Sequence, residues 1–406
     1  MSNLICVLNL QVIYILKVKL LIKTLVVFIA LLLIAVFLFV PSYIDNQKNV
    51  VLENVSLPEV SPEALDLHQS LVIGDWHSDS LMWSRDLMKE NRVGHMDIPR
   101  LQKGNVALQM FTTVTKAPSG LNYETNDANT SDDITKLALV SLWPTKTWTS
   151  LTERSLYMSA RLHSLAEENP KDLAVVTSKK SLSEVIERRK TNTKLVGALL
   201  GTEGSHALDG DLNNIEVLYD NGFRMMSLHH FFDNKLGGSL HGIKGGGLTE
   251  FGREAVKQMD QLNIIIDVAH SSEKVVEDVL ALTDRPLVVS HTGFYGHCAS
   301  PRNIPDNLMI QIANEGGLIA VGYWDGAVCE PTLESIAKSI DYGVNLVGAD
   351  HISLGSDFDG STEVPFDTSK MIYLTQALMD VGLSDENIAK VMGGNMLRFL
   401  EENLPD

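Results

Sequence analysis

From about residue 67 onward, short apolar runs alternate with longer amphipathic stretches, the pattern of strands separated by helices. Eight such runs follow one another: LVIGDWH from Leu71, NVALQMF from Asn105, KLVGALLGTEG from Lys194, FRMMSLHH from Phe223, NIIIDVAH from Asn263, PLVVSHT from Pro286, GLIAVGYW from Gly317 and HISLGSDF from His351. Intervening segments such as GREAVKQMDQL and TSKMIYLTQALMDVG repeat apolar residues three and four apart and read as helices. Eight runs are what a (β/α)₈ TIM barrel requires, with a doubly wound open sheet as the alternative. The placement of polar residues favours the barrel. Most runs are apolar at the start and end in His, Asp or Glu, where the parallel strands of a barrel present functional side chains. Polar residues also mark ordinary strand ends, but six runs ending in ligand-type residues argue against that reading alone.

A different pattern precedes these runs. TLVVFIALLLIAVFLFV, from Thr24 to Val40, is uncharged and as a helix would span about 25 Å. With Leu20 to Ile22 added and Lys23 snorkelling, the span reaches about 30 Å, the thickness of a hydrocarbon core. Residues 20–40 are therefore expected to be a transmembrane signal anchor. FVPSYID offers no clear small-x-small cleavage site, which counts against a cleaved signal peptide. Lys17, Lys19 and Lys23 precede the acids, placing residues 1–19 in the cytoplasm and the remainder in the periplasm or cell exterior. Residues 41–66 mix Pro, Asn and acids and read as a tether, leaving 67–406 for the barrel. The connection between Phe111 and Lys194 is far longer than usual and begins with a polar stretch. It reads either as a lid over the barrel mouth or as a surface insertion with helices of its own, such as SARLHSLAEE.

Composition narrows the function. At 45% hydrophobic and 21% charged residues, the 406-residue chain has the usage of a folded globular protein. The net charge is −18, and beyond residue 40 there are 30 basic against 51 acidic residues, which makes nucleic acid an unsuitable partner. Cys6, Cys298 and Cys329 form no C-x-x-C pair, and a Cys298–Cys329 bridge stays open.

In GDWHSDS, His77 and Asp79 are two apart at a strand end, so extended geometry would turn both to one face and let them share a metal. Glu203 follows an apolar strand between glycines, where its two oxygens suit a bridge between cations; a helix N-terminal acid or a salt-bridge partner is the plainer alternative. His270 and His291 close β-branched runs, and neutral imidazole suits zinc, although a lone histidine there is more often a satisfied core residue. Taken together, five donors exceed one tetrahedral zinc and suit two ions sharing Glu203, with an acidified water between them set to attack a carbonyl.

Through these motifs the sequence resembles the membrane (renal) dipeptidase family, zinc metallopeptidases on an amidohydrolase-like barrel that hydrolyse dipeptides. The resemblance runs from about Leu71 to Phe399 through GDWHSDS, MDIPRLQKGNVALQMF, GTEGSHALD, GFRMMSLHH, GLTEFGREAVKQM, IIDVAHSS, VVSHTGFYGHCASPRNIPD, SLGSDFDG and VMGGNMLRFL. It implies that His77 and Asp79 hold one zinc, His270 and His291 a second, that Glu203 bridges them, and that a metal-bridging hydroxide cleaves the peptide bond. It further implies that His230 binds substrate and stabilises the oxyanion, Arg302 holds the free carboxylate, and Asp357 binds the amino group or handles protons at the leaving nitrogen. His229 competes with His230, and Asp359 with Asp357. The other histidines, including His95, His206, His241, His297 and His351, are expected to be structural or superficial. A homodimer follows from the same likeness. LHHFFDNKLGGS departs from the corresponding animal segment, so side-chain preference is not carried over.

Two rivals are set aside on sequence grounds. A deacetylase- or lactonase-type barrel would commonly use a carboxylated lysine at a strand end, yet Lys194 opens its strand and Glu203 ends it. A non-catalytic membrane-anchored binding protein would be marked by a missing ligand, and none is missing.

Overall fold

The computed structural model describes residues 2–53 and 55–406, with side chains from Ile13 onward. Eight strands are hydrogen-bonded in sequence order: β1 Ile73–Ser78, β2 Val106–Val114, β3 Val196–Glu203, β4 Phe223–Ser227, β5 Ile265–Asp267, β6 Val288–Thr292, β7 Leu318–Val321 and β8 Ile352–Leu354. Every pairing among them is parallel. Each expected run overlaps one of these strands, with β1 extending past LVIGDWH to Ser78 and β2 past NVALQMF to Val114. All are buried along their whole length, which is why they read as continuous apolar runs and not as alternating ones. A further short strand, Leu173–Val175, pairs with the start of β3.

The sheet curls until β8 meets β1, and there side chains complete the closure. The Ser356 N–H donates to Asp75 Oδ2 at 2.9 Å, and the Ser356 hydroxyl lies 3.1 Å from Asp75 Oδ1. A parallel bridge joins Ser78 to Phe358 just beyond. This closure excludes the doubly wound sheet. Leu108 and Met110 share strand parity with Thr112, and Leu199 with Glu203, so these apolar residues fill the barrel beneath the polar mouth.

Helices begin where a short polar side chain can serve the first free N–H groups. Ser61, Asp97, Ser150, Thr249, Ser272 and Thr332 each accept from the N–H three residues on. The helix Leu151–Glu168 contains SARLHSLAEE of the long insertion. Cys298 and Cys329 form a disulfide, tying the loop after β6 to the segment after β7.

The N-terminal helix runs Ser2–Lys48, past Pro41 and beyond the expected 20–40 at both ends. It is long and apolar enough to cross a membrane. Residues 41–66 include the end of this helix, and part of the expected tether packs on the barrel: Asp45 and Asn49 are buried, and Val50–Val51 pairs in parallel with Glu363–Val364. The reason is polar pairing, since Asp45 meets Arg85 and Asn49 meets the Ser361 N–H.

The helix Pro62–Ser70 buries His68, whose Nδ1 lies 2.8 Å from Thr375 Oγ1, and burial pushes its pKa down to about 4 from 6.5. The unfolded chain takes up a proton near pH 6.5 while the folded ring stays neutral to about 4. Stability from this group is therefore present above pH 6.5 and lost as pH falls through that window, on the order of 3 kcal/mol in all. His68→Gln keeps a polar partner for Thr375 without the titration, and thermal melts between pH 6.5 and 4 should show a shallower decline. An unchanged slope would count against the assignment.

Candidate active site

The polar strand ends converge at the C-terminal mouth of the barrel. His77 and His291 lie within β1 and β6, Glu203 ends β3, and Asp79, His230, His270 and Asp357 stand just beyond β1, β4, β5 and β8. At the centre is Glu203 Oε1. His270 Nε2 lies 3.2 Å from it, His291 Nε2 3.3 Å, and the Nε2 atoms of His77 and His230 each 3.6 Å. None of these side chains belongs to a residue more than 8% exposed. Extended geometry stops at Ser78, so His77 and Asp79 do not share a face in the way an unbroken strand would give. Asp79 opens a 3₁₀ turn (φ −96, ψ 24), yet its Oδ2 still comes within 3.6 Å of His77 Nε2.

Could these residues hold metal? Three overlapping donor groups, each with atoms within 4.8 Å of one another, are His77/His291/Asp357, Glu203/His230/His270 and His77/Asp79/Glu203. The expected partners His270 and His291 fall in different groups, but their Nε2 atoms are only 2.9 Å apart. Two neutral rings cannot both aim lone pairs across that gap without a cation or proton between them. His77 Nε2 is buried and makes no hydrogen bond. The donor set therefore fits metal cations.

Electrostatics agree at Glu203, His270 and His291. Burial alone would raise Glu203, but the charges of His230 and His77, with the His270 and His291 rings against the same oxygen, hold it well below the usual carboxylate range. Burial, joined by Arg302 at His270 and by His77 at His291, keeps the latter two rings well below their ordinary value, hence neutral as ligation requires. His77 is raised well above its ordinary value because Glu203 and Asp79 outweigh its burial. Burial, with Glu203 and Asp79 nearby, pushes the Asp357 carboxyl well up.

Residues that sequence reasoning passed over orient these donors. Ser290 donates its hydroxyl proton to Asp267 Oδ2 at 2.7 Å and lies 2.9 Å from His291 Nδ1 and 3.3 Å from His77 Nδ1. With its proton committed, the oxygen accepts from ring N–H groups and leaves Nε2 free to ligate. The Thr112 hydroxyl donates to Asp79 Oδ1 at 2.7 Å. Asp267 carried a visible signal as the ligand-type residue ending IIID; Ser290 carried none. His270 (φ 60) and Asp357 (φ 59) both adopt left-handed backbone, a strain of about 1–3 kcal/mol each that is kept where function needs the geometry.

The ambiguous pairs separate by position. His230 faces Glu203, whereas His229 Nδ1 lies 3.1 Å from Ser271 Oγ. Asp357 lines the cavity, whereas Asp359 ion-pairs with Arg85 at 2.8 Å and accepts from the His95 N–H at 2.7 Å. His95 also accepts from the Asp359 N–H at 2.9 Å, which ties it to the loop carrying Asp359. Arg302 is buried, donates to His291 O at 2.7 Å and stacks 5.3 Å from the Trp324 ring. Among the described residues it makes no ion pair with a carboxylate, so a buried guanidinium faces the cavity with its charge unmatched.

The cavity over these residues is about 540 Å³, within the range of small-molecule sites. Leu121, Tyr123, Ile134 and Leu137 of the long insertion line it, so the insertion covers the mouth, held by the Asn126 N–H donating to His241 O at 2.8 Å. Ile44 and Lys48 from the N-terminal helix line it as well.

A closed parallel barrel with buried histidines and carboxylates at its C-terminal mouth defines a metal-dependent hydrolase. Residues 62–404 match the family model for membrane dipeptidase, peptidase family M19. The chain belongs to that family and is a hydrolase of peptide bonds. It is similar to the dipeptidase aclJ of Aspergillus oryzae, 27% identical over 380 residues, covering 84% of this chain and 83% of that one. The fold is shared with the probable dipeptidase PvdM of Pseudomonas aeruginosa (TM-score 0.68, 19% identity, 84% and 98% of the two chains). It is shared also with a Rhodobacter sphaeroides metallopeptidase liganded with a phosphinate mimic of the dipeptide L-Ala-D-Ala (TM-score 0.67, 22% identity, 82% and 99%).

Proposed function

We propose that this chain is a zinc dipeptidase in which His77 and Asp79 hold one ion, His270 and His291 a second, and Glu203 bridges the two. The observation that carries the reading is the convergence of four imidazole Nε2 atoms on one buried oxygen of Glu203. Imidazole and carboxylate donors suit zinc. When bound, the metal supplies Lewis acidity and acidifies water so that hydrolysis runs near neutral pH. The chain's own groups do the rest. His230 presents Nε2 to the cavity, where it stabilises the carbonyl oxygen as negative charge develops. Arg302 takes the free carboxylate through its planar fork. Asp357, pushed up by burial and its acidic neighbours, returns to carboxylate when the substrate ammonium arrives beside it. The insertion over the mouth excludes bulk water.

Dipeptide length follows from the two charged ends. A longer peptide would place an amide where Arg302 requires an anion, leaving the guanidinium unmatched in a buried site. The dipeptide mimic held by the Rhodobacter sphaeroides protein supports the same substrate class. Residues 20–40 cross the membrane, with 1–19 cytoplasmic and the barrel periplasmic or extracellular; homodimerisation is proposed on family grounds. Lys194, exposed at the opening of its strand, offers nothing to a carboxylated-lysine mechanism.

The test is a dipeptide-library assay on the full chain in detergent, before and after chelation and after zinc is restored. Amino-acid release should fall to background with chelator and return with zinc. Chelator-insensitive hydrolysis would sink the metal assignment. Lactone or phosphotriester turnover exceeding dipeptide turnover would sink the substrate class.

A further inference from the structure

The family match begins at residue 62, yet part of the active-site wall comes from before it. Ile44 and Lys48, in the last turn of the N-terminal helix, line the same cavity as Glu203, His230, Arg302 and Asp357. Between them Asp45 is buried, and its Oδ2 lies 2.8 Å from Arg85 Nε. Arg85 reaches on through Nη2 to Asp359 Oδ2, again at 2.8 Å. One turn along, Asn49 donates through Nδ2 to Asp45 Oδ1 at 2.8 Å, while its Oδ1 accepts from the Ser361 N–H at 3.0 Å. The Val50 N–H then donates to Thr362 O at 3.2 Å, and the Leu52 N–H to Val364 O at 2.8 Å.

The contacts of Arg85, Asn49, Val50 and Leu52 converge on the segment from Asp359 to Val364, which follows Asp357. The loop from Asp357 to Ser361 holds three non-glycine residues in left-handed backbone: Asp357 (φ 59), Asp359 (φ 65) and Ser361 (φ 64). Such backbone persists only where its surroundings over-determine it. Asp359 is anchored from within by Arg85, His95 and Trp83, and the N-terminal helix adds to this by fixing Arg85 through Asp45 and by holding Ser361 directly through Asn49. Remove those outer contacts and Arg85 and the Ser361 side of the loop gain freedom, which shifts the Asp357 carboxylate beside them. Replacing Asp45 still leaves Arg85 paired with Asp359, so no buried guanidinium is orphaned and the barrel core keeps its own contacts.

We propose that Asp45 and Asn49, at the end of the N-terminal helix, are positioning residues of the active site that hold the Asp357 loop in its working conformation. The inference rests on the reading of Asp357 as the group that meets the substrate's amino end. It makes the N-terminal helix part of the enzyme in addition to any role in the membrane, and a fragment lacking residues 41–52 would have an altered site.

The test uses the full chain, zinc-loaded in detergent micelles, with Ala-Ala as substrate. Asp45→Ala should lower kcat/KM about tenfold or more, chiefly through a higher KM, with bound zinc and melting temperature close to the unsubstituted chain. Asn49→Ala leaves the Arg85 pair in place and should act in the same direction with a smaller factor; it decides the matter if Asp45→Ala does not fold. In an Asp357→Asn background either substitution should have little further effect, because the group being positioned is already gone. Unchanged kinetics in the single variants, or the same fold-loss with and without Asp357→Asn, would overturn the proposal. If the unsubstituted zinc-loaded chain releases no amino acid, it is the dipeptidase reading that has failed.

Discussion

Glu203→Gln is expected to lower kcat/KM for dipeptides by about a thousandfold or more, on the order of 4 kcal/mol of transition-state stabilisation, and to release bound metal. Glu203 is the one carboxylate whose oxygen is approached by four imidazoles, and it is held ionised by His230 and His77 against the cost of burial. Glutamine keeps the shape and removes the charge. Its amide either turns an N–H₂ toward rings that need an acceptor or offers a weaker neutral oxygen. Elemental analysis should find fewer metal ions per chain, and steady-state kinetics should show a loss in kcat that saturating substrate does not recover. Full metal content with near-normal kcat would refute the bridging role. Because every neighbouring histidine also touches this oxygen, the single substitution is expected to cost more than loss of any one ring.

Arg302→Ala is expected to raise KM for dipeptides by about 10²–10³, the cost of leaving a substrate carboxylate unpaired in a buried site. The guanidinium is fixed before substrate arrives, by its bond to His291 O and by Trp324, and it has no carboxylate partner among the described residues. Comparing each dipeptide with its C-terminal amide gives a sharper readout than KM alone. The unsubstituted enzyme should strongly prefer the free acid, and the variant should lose most of that preference. Arg302→Lys should recover little, since an ammonium lacks the planar fork. A variant that still discriminates acid from amide would remove Arg302 from substrate recognition. Loss of packing against Trp324 adds to the effect, so the acid-to-amide ratio carries the argument.

Each of the eight barrel strands overlaps a run readable in the sequence, because a strand buried on both faces writes an unbroken apolar run that needs no tertiary information. The donors were legible for a related reason. A barrel places functional side chains at strand C-termini, so His77, Glu203, His270 and His291 stood out as polar residues closing apolar runs. Asp75 and Ser290 did not stand out. Asp75 acts through Ser356, 281 residues away, and Ser290 acts through a hydroxyl whose proton is directed by Asp267. Neither relation leaves a periodic or spacing signal.

The end of the N-terminal helix was the least legible part. Hydropathy identifies residues 20–40 as apolar and then falls silent, so 41–66 reads as tether. Whether Asp45 is solvated or buried depends on Arg85 and Asp359, which reach it only after the barrel closes. The choice of His230 over His229 and Asp357 over Asp359 has the same character, since adjacent or alternate residues are equivalent until a loop has turned one toward the cavity. The Cys298–Cys329 bridge likewise waited on the loops after β6 and β7 being neighbours.

By itself, then, the sequence determined what repeats locally: the strand and helix pattern, the apolar N-terminal span and the chemical types at the strand ends. Only the tertiary structure decided that the sheet closes, that four imidazoles meet on Glu203, and that Asp45 reaches the loop of Asp357. The physical reason is range. Periodicity and residue type act over a few positions, whereas closure, convergence and clamping are contacts between residues far apart in the chain, which exist only when the whole barrel has folded.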